Sequence, residues 1–220
     1  MSKVERFVYI VESPSDEELM NGVGEGRMLC DALRLAGVTS FYRLAVSRTA
    51  FEKALGEGID YAMGQMKEHI PIVHISAHGT KRGICLTCPY SALGTFTDRL
   101  EWGELAALLA PINSAAGGRL DLCMSSCGGG YGVMMALERC AGMPFRRFVG
   151  SLGKPTWADT AIGFGTFYHL FVGKGKSFDS AVEAMASATG HMRFRSGYAG
   201  QLRRDAVKLV RQARREARGA

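Results

Sequence analysis

Short apolar runs rich in β-branched and aromatic residues alternate with helix-like runs along most of this chain, and that alternation most constrains its fold. RFVYIVE (6–12), SFYRLAV (40–46), PIVHISAHG (71–79), RLDLCMSSC (119–127) and RRFVGSLG (146–153) read as strands. Between and after them, helical periodicity marks 24–37, 49–69, 101–112, 131–142, 158–175 and 177–192. GICLT (83–87) reads as the returning arm of a hairpin. Strands that alternate with helices imply βαβ units and a mostly parallel sheet covered on both faces. With 220 residues the chain can bury one sizeable core. The expected division is one α/β domain over 1–196 and a basic C-terminal helix over 197–220, where the composition shifts.

The charge is concentrated in that last segment. The formal net charge is +6, and residues 201–220 hold seven Arg or Lys against two Asp or Glu, so five of the six charges sit there. The body is close to neutral. Such a helix can bind nucleic acid, an acidic membrane or an acidic partner, or can simply be a solvated helix end. No apolar run approaches the roughly 18 residues that span a bilayer, and the first residues lack a signal-peptide core. The expectation is therefore a cytoplasmic, non-membrane protein whose six cysteines are thiols.

In open α/β sheets ligands bind beyond the carboxyl ends of the strands. Four places qualify here: Glu12 and Ser13, Ala77 to Gly79, Ser126 to Gly129, and Gly150 to Gly153. Two of them carry a group suited to nucleophilic or acid–base chemistry near neutral pH, His78 and Cys127. A lone cysteine is usually an inert buried hydrophobe. A nucleophile needs exposure, a base and donors for an oxyanion, and the chain offers each. The turn in SCGGG lets the Cys127 side chain leave the core. His78 can act as the base and stabilise a thiolate. The backbone amides of Gly79 and Cys127 can hold the oxyanion. Gly128 and the glycines after it leave room for a substrate backbone to approach.

Other candidates carry less. Cys123 lies inside its strand, and His74 shares the His78 face but lies deeper in the sheet. Cys85 and Cys88 form a CLTC pair, but a structural zinc site wants four ligands, and a hairpin with two small thiols accounts for them. GVGEG (22–26) and GKGKS (173–177) lack the spacing of phosphate loops and read as turns.

The His-Gly after one apolar strand and the Ser-Cys after the next long one lie 49 residues apart, close to the roughly 50 of caspases. Together with FVGSLGKPTWADTAIGFGTFYHLFVGKGKSFDSAVEAM, these segments resemble the caspase-like cysteine peptidases, and within them most the prokaryotic CHAT domains. The likeness covers roughly residues 70–190. The chain departs from it in having Ser-Ser-Cys-Gly-Gly-Gly where many CHAT domains have Ser-Ala-Cys, an acidic residue and Thr-Gly. It also lacks their helical-repeat sensor and the linker at which caspases are cut.

The resemblance implies a three-layer α/β/α caspase-like fold and hydrolysis of a protein substrate through an acyl-enzyme, with no cofactor or metal. It also implies a narrow choice of target, in prokaryotic stress or antiviral defence, and control by a separate regulatory partner chain. In caspase-like folds the loop after the next strand helps form the specificity groove, which makes Trp157 and Asp159 candidate substrate-binding residues. An acidic group there would favour a basic residue before the scissile bond. Asp159 reads rather as the N-cap of a helix beginning near Thr160, and Asp98 and Glu12 are further acidic candidates. Two other classes stay open: a silent pseudopeptidase that binds a partner through the same groove, and a nucleic-acid-associated protein acting through the basic helix.

Overall fold

The computed structural model describes residues 5–87, 98–138, 142–190 and 193–219. Its centre is a sheet in the order β2-β1-β3-β6-β7-β8. The strands are β1 (Arg6–Ser13), β2 (Ser40–Leu44), β3 (Ile70–Thr80), β6 (Asp121–Ser125), β7 (Arg147–Ser151) and β8 (Phe194–Tyr198). All neighbours run parallel except β8, which is antiparallel to β7. The end of β3 continues into an antiparallel extension made of β4 (Gly83–Leu86) and β5 (Asp98–Glu101).

Successive strand residues point to opposite faces, so β1 feeds two cores at once. Phe7, Tyr9 and Val11 enter one apolar cluster, and Val8 and Ile10 enter the other. Over the first face lie α3 (Arg48–Lys53) and α4 (Ile59–Gln65), joined by one π-turn, together with α5 (Trp102–Ala115) and α8 (Ala199–Gly219). Over the second lie α2 (Glu25–Leu35), α6 (Trp157–Tyr168) and α7 (Phe178–Ala188). The result is the expected α/β/α sandwich. A short helix that the sequence reading did not anticipate, α1 (Asp16–Met20), follows β1 directly.

Three local differences have physical causes. The expected helix after Cys127 is a 3₁₀ segment, Gly129–Leu137. A Cβ on Gly129 would lie 2.9 Å from the Met124 carbonyl oxygen, and one on Gly130 would lie 3.0 Å from that of Gly150. The glycines let this segment press onto β6 and β7, and their low helix propensity does the rest. β8 was not expected because FRSGY lacks clean alternation. The expected boundary at 196/197 falls inside β8, and α8 buries Ala199, Leu202 and Ala206 in the first core. The start of the basic helix is thus core, with Arg203, Arg204 and Lys208 exposed on its other side.

Candidate functional site

β3 is longer than its neighbours, and that places the histidine. Its parallel pairing stops at Ser13↔Ala77 on one side and at Ser76↔Ser125 on the other. His78 to Thr80 therefore rise past the edge of the sheet and pair with β4, His78 opposite Cys85. Carrying the Ser76↔Ser125 register two places further sets His78 beside Cys127. The chains do approach there: a Cβ on Gly79 would lie 2.6 Å from the Cys127 carbonyl oxygen. His78 and Cys127 both line a cleft of about 190 Å³, walled by Ala77, Ser125, Ser126, Pro155, Trp157 and Thr160.

One face of β3 meets one face of α6. Trp157, Thr160, Phe164 and Tyr168 recur at helical spacing. The His74 ring packs edge-on to Phe164 at 4.7 Å, and the His78 ring packs edge-on to Trp157 at 5.5 Å. Three residues of β3 thus separate a buried histidine from a cleft histidine. His74 is fully buried and its Nδ1 shares a hydrogen bond of 2.8 Å with the Tyr168 hydroxyl. Burial lowers its pKa to about 3, so it is a neutral core group. The His78 side chain keeps 29 % exposure.

The sequence reading missed Glu18. Its Oε2 lies 2.9 Å from His78 Nε2, and its Oε1 accepts the Trp157 indole N–H. The carboxylate is held in place by its own helix: the Ser15 amide donates to Oε2 at 2.7 Å, and the Ser15 hydroxyl accepts from the Glu18 amide. Burial alone would raise the Glu18 pKa, but the Ser15 amide, the Trp157 indole and His78 together bring it below the usual carboxylate value. The signal was present: Ser15-Asp-Glu-Glu18 has the S-x-x-E pattern of a capping box just past a strand's carboxyl end.

Beneath the cleft floor lies a second unanticipated carboxyl, Glu25. The hydroxyls of Ser125 and Ser76 donate to its Oε2, at 2.5 and 2.9 Å. Burial raises its pKa to about 8 despite those donors, so at neutral pH it is mainly protonated.

The other site candidates fall as follows. Trp157 lines the cleft. Asp159 does not: it is the third helical residue of α6, accepting from the Thr156 amide and hydroxyl at 3.0 and 2.7 Å in a capping box. That network lowers its pKa. The cap is Thr156, and the cleft's acidic groups are Glu18 at its rim and Glu25 below it. Asp98 pairs with Arg48 at 2.8 Å. Glu12 accepts from the Gly26 amide and the Tyr42 hydroxyl, both at 2.7 Å, so GVGEG wraps an internal carboxylate.

Gly128 is not a cleft wall. It takes φ +64°, donates to the Gly153 carbonyl at 2.8 Å, and a Cβ there would lie 3.2 Å from the Thr80 carbonyl. The space left by this glycine is filled by the β3–β4 turn instead of substrate. Cys127 is half-exposed, but burial raises its thiol pKa and the Lys154 ammonium offsets this only partly. Burial thus works against the thiolate that a neighbouring imidazole would stabilise. Cys123 is buried with its thiol raised still further. Cys85 is buried, and Cys88 lies outside the described residues. No helix among the described residues is long and apolar enough to cross a membrane.

No protein-family model matches this chain, and no curated protein sequence matches it. Its structure is similar to that of a secreted C11 cysteine protease from Bacteroides thetaiotaomicron, solved in complex with an irreversible peptide inhibitor. The two share 10 % identity at a TM-score of 0.59, over 90 % of this chain and 67 % of the protease. At that identity the likeness carries the architecture, and the chain has the caspase-like fold: a mostly parallel sheet between two layers of helices.

Proposed function

We propose that this protein is a cysteine endopeptidase in which Cys127 is the nucleophile and His78 the general base. The observation that carries this reading is the convergence of the two side chains on one cleft from the carboxyl ends of adjacent strands, β3 and β6. The fold shared with a cysteine protease supports it.

Because burial raises the Cys127 thiol pKa, proton transfer accompanies attack. His78 takes the thiol proton as Sγ bonds to the substrate carbonyl carbon, and the amides of Gly79 and Cys127 receive the oxyanion. Collapse breaks the C–N bond, and the imidazolium gives its proton to the departing amine. Water then attacks the thioester, again with His78 as base, and releases the carboxylic acid while the thiol regains its proton. No step requires a metal or cofactor.

The substrate is a partner protein, with Trp157 forming one wall for its chain. The likeness to CHAT domains supports a narrow target in prokaryotic stress or antiviral defence, under control of a regulatory chain. Free thiols at Cys30, Cys85, Cys123 and Cys127 favour a reducing, cytoplasmic setting.

The test is to incubate wild type, Cys127→Ala and His78→Ala with lysate and sequence the new N-termini. Both variants should keep the wild-type melting temperature and lose cleavage by at least about a thousandfold. Cleavage that survives in either variant would overturn the reading. Cleavage absent from all three, with intact partner capture, would establish the pseudopeptidase alternative.

A further inference from the structure

We infer that Glu18 is the positioning residue of this site: its carboxylate fixes the tautomer and orientation of His78 and ties that base to the cleft wall through Trp157. The inference rests on the peptidase reading of Cys127 and His78, and adds a third member drawn from a different element.

The geometry assigns each carboxylate oxygen a task. Oε2 meets His78 Nε2 at 2.9 Å and also accepts the Ser15 amide, while Oε1 accepts the Trp157 indole N–H. An ionised carboxylate can only accept, so the imidazole must present N–H at Nε2. In the neutral ring that leaves the lone pair on Nδ1, the nitrogen that the peptidase reading then needs as the base. Direction and tautomer are what a general base needs from its third group. The Glu18 side chain is 16 % exposed, so water competes weakly for its lone pairs.

Glu18 also joins three elements that are far apart in sequence. It stands on α1, His78 on the overhang of β3, and Trp157 on the first turn of α6. The capping box with Ser15 fixes the carboxylate before substrate arrives. Trp157 then closes the arrangement on the remaining side, edge-on to the imidazole. Neighbouring Glu17 is exposed on the same short helix and serves as a control.

The experiment has one readout that needs no peptidase activity. Histidine is labelled with ¹⁵N in the full-length protein, and the His78 ring signals are assigned by their loss in His78→Asn. Two-bond ¹H–¹⁵N spectra at neutral pH should show the Nε2–H tautomer in wild type and in Glu17→Gln, and a mixture in Glu18→Met. Glu18→Gln, which keeps the shape and one acceptor, guards against misfolding of the methionine variant.

In cleavage assays Glu18→Gln and Glu18→Met should lower kcat by about 10- to 100-fold, part of what a positioned base supplies. KM should stay within about twofold, and Glu18→Asp should recover part of the loss. An unchanged tautomer in Glu18→Met, or an unchanged kcat in both variants, would overturn the inference. A tautomer change in a protein whose wild type cleaves nothing would leave the Glu18 clamp standing and remove the peptidase reading instead.

Discussion

The two ends of the sheet carry buried charge in opposite ways. At the amino ends of the strands, Arg147 and Asp121 are 4 % and 1 % exposed and pair through two hydrogen bonds, Nε to Oδ1 at 2.8 Å and Nη2 to Oδ2. The Arg147 guanidinium also lies 4.8 Å from the ring centres of Phe171 and Phe178. That pair is satisfied from within, though His69 Nδ1 at the same end is buried without a hydrogen bond. At the carboxyl ends, Glu25 Oε1, His74 Nε2 and Ser126 Oγ are buried without a hydrogen bond, and Glu18 reaches across to a half-exposed base. Buried polar groups are nearly always satisfied in a purely structural region. These three lie close to one cleft, which fits the proposed site, since sites give up stability for chemistry.

Mutations can break this contrast from either end. The largest expected effect is at the amino ends: Asp121→Ala should strand a buried cation and cost about 3–5 kcal/mol. It would appear as a lower urea midpoint with unchanged slope. Equal stability in that variant would mean that the two ends do not differ as described. Next comes the helix that closes the first core. Leu202→Ala should cost about 2–5 kcal/mol, whereas Arg203→Ala on its exposed side should stay within about 0.5 kcal/mol. Paired thermal melts would show whether residues 197–220 are core or appendage.

At the carboxyl ends the effect is one of pH. Glu25 has an ordinary carboxyl value near 4.5, raised in the fold to about 8. The native state therefore holds this proton more tightly than the unfolded chain does. Its contribution is fully present below about pH 4.5 and is lost as pH rises through about 8. Urea midpoints of wild type should fall across that window, and Glu25→Gln should flatten the fall. A parallel pH profile in the two proteins would refute a protonated Glu25.

The smallest effect concerns the cap. Asp159→Ala should cost about 1 kcal/mol through the lost capping box and leave the preferred residue before the scissile bond unchanged in a peptide library. A changed preference would return Asp159 to the cleft.

Much of the site was legible because one rule turns strand ends into geography. His78 and Cys127 follow from apolar runs that stop at His-Gly and Ser-Cys, and from the order of the strands. The capping-box pattern marks Glu18 as a helix start past a strand end, but its partners lie 60 and 139 residues away in sequence, where no local pattern reaches. Asp159 illustrates the converse. Its T-x-x-D spacing is a local signal, and the cap it specifies took precedence over a role inferred from family likeness.

The sequence by itself determined the parallel α/β architecture, the two faces of β1 and β3, and the strand ends that bear the proposed nucleophile and base. Those follow from periodicity and chain order, which are local. Tertiary structure alone decided that the space beside Gly128 would be filled by protein, that burial would raise the Cys127 thiol pKa, and that a carboxylate from α1 would meet the imidazole. Each depends on desolvation or on contact between distant segments, and these exist only once the layers have closed around the sheet.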